Sequence, residues 1–289
     1  ATFLQFSYQF QYRYSKSDRA TYDFSNLGED FFNGLTPSYG GWGGYLSRLE
    51  NPYTAYEDED LSRYSEYKNY IHDIQVMLRV IRTAYNFNVG VRFVPQTSHF
   101  TQDYQGKHTD TTRTVSNITP TMDFRYKFSK TSQLRVNYRG NTEQPSMTQL
   151  LDITDNSDPL NVSKGNPGLK PSFTNNLQIF YNNYIQSHQR FIFANFSAST
   201  TSNNISNMVT YDETTGGRTT RPENINGNWN TGGNFTYNMA IDTAGYWNVS
   251  TYTNLNYTNS VGYFYDNSIK NSVKNTTRTT AVSERLTSG

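Results

Sequence analysis

Few residues in this sequence have the types and spacing of a catalytic, metal-binding or ligand-binding site. The acidic run Glu57–Asp60 could hold a hard cation through carboxylate oxygens, but it lacks the spacing of a calcium-binding loop, which favours a solvated acidic loop. The glycine-rich stretch Gly40–Gly44 has no Lys-Ser/Thr after it, so it is not a phosphate loop. We interpret it as an outer loop in which Trp42 and Tyr45 could stack on a sugar ligand. Because the sequence shows no nucleophile motif and no ordered acid–base pair, we expect no catalytic activity, no metal and no cofactor.

Arginine is the other group of chemical interest, and several arginines fall in segments that alternate with a period of two. Even residues from Leu4 to Tyr14 are apolar or aromatic, whereas the odd residues between them carry amide, hydroxyl or guanidinium groups. The same alternation recurs at 87–93, 122–128 and 229–241. Successive side chains of a strand point to opposite faces, so these segments predict antiparallel strands between two different surroundings. The arginines predicted to lie on the polar faces are Arg13, Arg92, Arg125, Arg135 and Arg139.

Composition narrows the class of protein. Aromatic residues make up 16% of the 289 residues and charged residues only 17%, so the chain is polar without high charge, and its aromatic content argues against disorder. A net charge of +1 provides no strong field for nucleic acid, and the lack of cysteine rules out a disulfide-dependent fold. No apolar run reaches the length of about 18 residues that a transmembrane helix needs, but a barrel strand can span with about ten alternating residues.

The alternating segments predict ten strands, joined by connections of alternating length. The predicted strands lie near 2–14, 68–81, 85–97, 113–128, 133–142, 174–185, 190–211, 219–241, 246–265 and 275–286. Short connections are predicted at 82–84, 129–132, 186–189 and 242–245. Longer ones lie between them, at 15–67, 98–112, 143–173, 212–218 and 266–274. Short turns at one rim and long loops at the other are typical of outer-membrane barrels, so the predicted fold is all-β, an antiparallel up-and-down transmembrane β-barrel.

The connection after the fifth predicted strand carries several short motifs in a fixed order. Asn137-Tyr138-Arg139 is followed by Pro145–Leu150, then by Asp158–Asn161, and then by Gly165–Pro171. This order resembles a signature of TonB-dependent outer-membrane receptors and their allied outer-membrane β-barrel family. Because proline fixes φ and glycine permits tight turns, we expect the loop to be structural rather than ligand-binding. The motif residues that we expect to hold it are Pro145, Asp158, Pro159, Gly165, Asn166, Pro167 and Pro171.

The resemblance implies a barrel of about 22 strands with a plugged lumen. It also implies import of a scarce ligand with energy from an inner-membrane TonB complex, in the Gram-negative outer membrane. No plug or TonB box stands in the sequence, and residues 283–289 do not form the closing aromatic strand of such proteins. We therefore expect residues 1–289 to be one barrel segment of a longer chain, incomplete at both ends. The expected partners are the lipid bilayer, the TonB complex through a plug domain, and a surface lipoprotein.

The hypothesis for function is an outer-membrane transport component. Its polar face would line the lumen, where the five arginines tune selectivity, because arginine on the lipid face costs about 2–4 kcal/mol near mid-bilayer. The loops 15–67, 98–112 and 143–173 would meet the ligand. Two alternatives stay open: a passive porin or envelope-assembly barrel, and a soluble secreted β-sandwich adhesin that binds glycans through exposed aromatic residues.

Overall fold

Strands dominate the computed structural model, which describes residues 1–33, 42–151, 154–155, 158–186, 189–242 and 244–289. In chain order the strands are β1 (Thr2–Arg19), β2 (Arg63–Ile81), β3 (Tyr85–Tyr104), β4 (Lys107–Lys127), β5 (Ser132–Glu143), β6 (Thr154–Asp155), β7 (Asn161–Lys164), β8 (Ser172–Ile185), β9 (Arg190–Ser202), β10 (Asn204–Tyr211), β11 (Arg218–Ile225), β12 (Asn228–Ala240), β13 (Asn248–Asp266) and β14 (Asn271–Ser288). The short helices are α1 (Trp42–Leu46), α2 (Met147–Leu150) and the 3₁₀ turns Ser25–Leu27, Glu29–Phe32 and Tyr53–Tyr56. Within these described ranges, no helix has the length and apolar character needed to cross a membrane.

Ten strands form one sheet in the order β1-β2-β3-β4-β5-β8-β9-β12-β13-β14. Every pair from β4 to β14 is antiparallel. The sheet is therefore the predicted up-and-down meander with the predicted ten strands. β1 and β14 stand at the two ends of this order, and among the described strands each has one hydrogen-bonded neighbour.

The strand registers carry the two-faced pattern across the sheet, because residues directly opposite each other share a face. One line of register partners, which we name the apolar row, consists of Phe124, Val136, Ile179, Phe196, Gly233, Leu255 and Val282. The next line, which we name the polar row, consists of Arg125, Arg135, Phe180, Asn195, Asn234, Asn254 and Ser283. Neighbouring residues of a strand thus belong to different surfaces. The apolar row is mainly aliphatic and aromatic, whereas the polar row carries mainly guanidinium and amide groups.

The described part of the protein leaves the β13–β14 end of the apolar row uncovered. Leu255 is 52% exposed and Val282 is 68% exposed, although both are large apolar side chains. The buried apolar residues of the described chain are few, and none of them belongs to this row. An extended apolar surface of this kind requires a nonaqueous partner, since soluble monomers rarely expose large contiguous apolar patches.

Two of the connections predicted to be long are tight turns. Residues 98–112 are mostly strand, because β3 and β4 continue to a two-residue turn at Gln105-Gly106, whose φ angles are 53° and 66°. Similarly, β13 and β14 are joined by residues 267–270 alone. Both segments are rich in polar residues, so they form strands without the apolar alternation that marks a half-buried strand.

Two predicted long strands are each broken in the structure. Asn203, with φ of 53°, separates β9 from β10, and Gly227, with φ of 113°, separates β11 from β12. Asparagine and glycine tolerate this left-handed conformation better than other residues. The hairpin β10–β11 leaves the large sheet and joins a four-stranded sheet in the order β10-β11-β7-β6, in which β11 and β7 are parallel. Part of the loop predicted at 143–173 is therefore strand.

The chain divides into two compact units. The first comprises residues 1–10, 72–95 and 115–289, and it contains both rows and the four-stranded sheet. The second comprises residues 11–71 and 96–114. In the second unit, the segment after β1 is held to the segment before β2 by backbone bonds from Asp23 N to Tyr56 O and from Asp58 N to Thr21 O, both 2.8 Å.

Candidate functional site: the polar face of the sheet

The predicted polar-face arginines occupy different surroundings. Arg13 donates to the Oε1 atom of Gln11, two residues away on β1, at 3.3 Å. Arg139 is the register partner of Thr121 on β4 and of Asn176 on β8, so it lies among polar side chains. Their strands thus place both guanidinium groups beside uncharged polar residues.

Arg92 on β3 is neutralised by an acidic partner that the sequence analysis did not identify. Its Nε atom lies 2.8 Å from each carboxylate oxygen of Asp73 on β2, and its Nη2 atom also contacts Asp73. A two-pronged contact of this kind is the strongest common form of a charged hydrogen bond in proteins. Asp73 lies in a predicted strand at an odd, polar position, but nothing in the sequence indicates which residue of the next strand faces it.

Arg125 and Arg135 are direct register partners, and they line a shallow depression with Arg79 of β2. The depression has a volume of about 370 Å³ and is also lined by Asn86, Asn88, Asp123 and Phe124. We name it the arginine depression. Sequence reasoning missed Arg79 because its strand face also carries Met77 and Ile81, which hide the polar alternation there.

The predicted ligand contacts in the long first loop are only partly described. Gly40, Gly41 and the Trp42 side chain lie outside the described residues, although Trp42 begins α1. Tyr45 is buried, with 5% of its surface exposed, so little of its ring faces solvent. In the same unit, a pocket of about 540 Å³ is lined by Glu57, Glu59, Asp103 and His108 among others. No group of three or more metal-binding side chains occurs in the described part of the chain.

The loop between β5 and β8 is tied to β11 through buried and polar contacts. Asn166 is 5% exposed; its Nδ2 donates to the Pro222 carbonyl at 2.9 Å, and its Oδ1 accepts from Gly168 N and Arg221 Nη2, both at 3.0 Å. Asn224 exchanges two further bonds with the backbone of Lys170, at 2.7 and 3.0 Å. The motif asparagine is thus a central hydrogen-bonding group of this loop.

The remaining motif residues mark the ends of short elements in the same loop. Pro145 precedes Ser146, whose side chain caps α2 in a reciprocal pair of bonds with Gln149. Pro159 precedes β7 and Pro171 immediately precedes β8, while Pro167 is exposed in the turn between Asn166 and Gly168. Gly165 is buried, and a Cβ atom placed there would lie 1.7 Å from the Leu151 carbonyl oxygen.

Replacing Asn166 with alanine is expected to destabilise this loop by about 1–3 kcal/mol, because the change leaves the buried Pro222 carbonyl without its donor and removes an acceptor from Arg221. Limited proteolysis of the refolded protein should show faster cleavage between β5 and β8 while the large sheet stays intact. The matched control is Asn267→Ala, in the exposed turn between β13 and β14. Equal cleavage rates in the two variants would contradict the structural role of Asn166.

Asp158 gives this loop a pH dependence. The Nδ2 donor of Asn161 at 2.6 Å and the backbone N–H of Leu160 at 3.0 Å hold the pKa of Asp158 below its ordinary value. A lowered pKa means that the stabilisation is present above the unfolded value of about 3.9 and is lost as the pH falls through the folded value. A carbon-detected NMR titration should place the Asp158 midpoint below that value, and Asn161→Ala should raise it. An unchanged midpoint in Asn161→Ala would contradict this assignment.

One acidic residue departs from the two-faced pattern. Glu284 of β14 is the register partner of Thr253, which in turn pairs with Phe235, so its side chain lies on the apolar face. Its carboxylate accepts hydrogen bonds from the hydroxyls of Thr251 at 2.7 Å and Thr253 at 2.6 Å. Two hydroxyl donors therefore replace part of the hydration that this carboxylate would otherwise need.

The fold and the two opposed faces define a class: the wall of a transmembrane β-barrel, with strands that present one apolar and one polar side. A model of the outer membrane protein beta-barrel family matches residues 47–288. The chain belongs to that family. No curated protein matches the chain.

The family assignment identifies where the protein is located and what its apolar face contacts. The protein resides in the outer membrane, and its sheet contacts the lipid bilayer. The alternative of a soluble secreted sandwich is therefore wrong. Its physical premise also fails, since the apolar row is exposed and does not pack into a dry two-layer core.

Proposed function

We propose that this protein is part of an outer-membrane importer similar to TonB-dependent receptors, in which the polar face of the sheet lines the path of a scarce ligand. The observation that carries the proposal is the polar row, which crosses seven strands with guanidinium, amide and hydroxyl groups and one aromatic ring. Such a face suits a hydrated pathway, because amide and guanidinium groups facing lipid would be costly. The proposal includes no catalytic step.

The loop between β5 and β8 supports the likeness to TonB-dependent receptors. Its motifs occur in the order typical of those proteins, from Asn137-Tyr138-Arg139 to Gly165–Pro171. Their residues form an ordered connection that includes α2 and β7 and is bonded to β11. The proposal extends to energy supplied by an inner-membrane TonB complex and to a surface lipoprotein as a partner on the loops.

The experiment compares solute uptake by cells that contain the full-length protein with uptake by cells that lack it. Spent growth medium is the probe, and mass spectrometry follows the loss of its polar compounds. We expect at least one compound to be taken up only by cells that contain the protein. A protonophore should abolish this uptake, and so should deletion of the TonB gene. Uptake that survives both treatments would overturn the proposal in favour of a passive pore. No protein-dependent uptake would also overturn it, in favour of a barrel that does not transport.

A further inference from the structure

We propose that the arginine depression binds a hydroxyl-bearing anion, with Arg79, Arg125 and Arg135 holding its carboxylate or phosphate group. This inference rests on the proposed function in one respect, since it assigns a chemical class to the solute that passes along the polar face. The binding step itself needs neither energy nor transport. It can therefore be measured separately from import.

Like charges lie close together in the arginine depression. Arg125 and Arg135 face each other directly on β4 and β5. Directly opposed residues on antiparallel strands have Cβ atoms about 4.5–5.5 Å apart, and like charges in such pairs are destabilising. Arg79 of β2 adds a third guanidinium group to the same depression. An anion between them would convert this repulsion into charge-assisted hydrogen bonds, for which the guanidinium fork is well shaped.

The described residues do not supply enough negative charge to balance these three arginines. Among the described residues that line the depression, Asp123 is the one carboxylate, so three guanidinium groups and one carboxylate leave a formal charge of +2. None of the three guanidinium groups forms a hydrogen bond or an ion pair with the described part of the protein. Arg92, on the same face, is held by Asp73 in a two-pronged contact. The fold thus pairs Arg92 with a carboxylate but leaves the arginine depression with a net positive charge.

Two buried amide oxygens at or beside the depression need hydrogen-bond donors, which hydroxyl groups of a ligand would supply. The Oδ1 atom of Asn88, which lines the depression, is buried and has no hydrogen-bond partner among the described residues. The Oδ1 atom of Asn137, the register partner of Asp123, is also buried, and the described part of the chain offers it no hydrogen-bond donor. Buried amide oxygens normally accept a hydrogen bond. A ligand that carries hydroxyls beside its anionic group would supply donors to these oxygens while it accepts bonds from the arginines.

The test measures binding of glucose 6-phosphate to the protein refolded in detergent, by isothermal titration calorimetry at low salt. Glucose is the uncharged control probe and methyl phosphate is the control that lacks ring hydroxyls. We expect glucose 6-phosphate to bind more tightly than methyl phosphate, and glucose not to bind measurably. Binding should weaken as sodium chloride is added, because salt screens exposed charges.

The variants locate the site. Arg125→Gln and Arg135→Gln should each weaken binding about tenfold or more, since each removes charge-assisted hydrogen bonds. The matched control is Arg285→Gln, which removes an arginine from the polar face of β14, the strand at the far end of the sheet order from β2. Asn88→Leu should bring the affinity for glucose 6-phosphate close to that for methyl phosphate. Far-UV circular dichroism and heat-modifiable gel mobility confirm that every variant compared is folded.

Three results would overturn the inference. The first is no binding of glucose 6-phosphate by the folded protein. The second is equal loss of binding in Arg125→Gln and Arg285→Gln, which would indicate a diffuse charge effect rather than a site. The third is equal affinity for glucose 6-phosphate and glucose. A failure of energised uptake in cells would leave these binding results unchanged, so the two proposals fail separately.

Discussion

Phe124→Arg is expected to impair folding of the protein into lipid vesicles. Phe124 begins the apolar row, and its ring lies near those of Phe87 and Tyr126, with centroids 6.3 and 6.4 Å apart. Arginine there would remove both ring contacts and place a charge against acyl chains, at a cost of about 2–4 kcal/mol near the middle of the bilayer. A urea titration of the folded fraction, followed by heat-modifiable gel mobility, measures the effect.

The neighbouring residue provides the matched control. Arg125→Leu changes the opposite face of the same strand and relieves the repulsion between Arg125 and Arg135, so the folded fraction should stay close to that of the unchanged protein. Equal damage from Phe124→Arg and Arg125→Leu, or equal tolerance of both, would contradict the assignment of the two faces.

Gly165→Ala is expected to have the second large effect, confined to the loop between β5 and β8. The added Cβ would lie 1.7 Å from the Leu151 carbonyl oxygen and 3.2 Å from the Thr148 carbonyl oxygen. Both neighbours are backbone atoms, so a change of rotamer cannot relieve the clash, and the chain must move. The adjacent bond from Asn166 N to Gln149 O, at 2.6 Å, would be lost or lengthened. We expect a cost of about 3 kcal/mol or more, at the upper end of overpacking effects.

Hydrogen exchange of the loop amides followed by mass spectrometry measures this second effect. Gly168→Ala is the matched control in the same loop, because the added Cβ would meet a single side-chain atom, Asn166 Oδ1 at 3.2 Å, and no backbone atom. Protection should fall strongly in Gly165→Ala and weakly in Gly168→Ala, with the large sheet unchanged in both. Similar protection in the two variants would show that the loop is not packed around Gly165.

The large sheet could be predicted from sequence because its signal is local. Alternation at Met122–Phe128 and at Trp229–Ile241 fixes which residues share a face, and short connections such as 82–84 require neighbouring strands to be antiparallel. The same alternation placed Arg125 and Arg135 on one side of β4 and β5. These features depend only on the backbone period of a strand and on the reach of a short turn.

The rest depends on pairing between distant segments, which carries no local signal. β7 pairs with β11 in parallel, and Asn161 is the register partner of Arg218, far along the chain. The contact between Arg92 and Asp73 is fixed by how β2 and β3 pair, and each residue alone is an ordinary polar residue of a strand. The hydrogen bonds of the buried Asn166 side chain could not be predicted from the sequence either, because the partners Pro222 and Arg221 lie in the β10–β11 hairpin.

The most direct test of the account uses the fact that the sequence contains no cysteine. Single cysteines introduced one at a time from Thr121 to Lys127 would carry a nitroxide spin label, and the full protein would be reconstituted in lipid vesicles. The account predicts that labels at even positions collide with oxygen dissolved in the lipid, whereas labels at odd positions collide with a water-soluble nickel chelate. The two accessibilities would then alternate in opposite phase with a period of two. Equal access of the nickel chelate to both sets of positions would contradict the claim that one face of this sheet contacts lipid and the other contacts water.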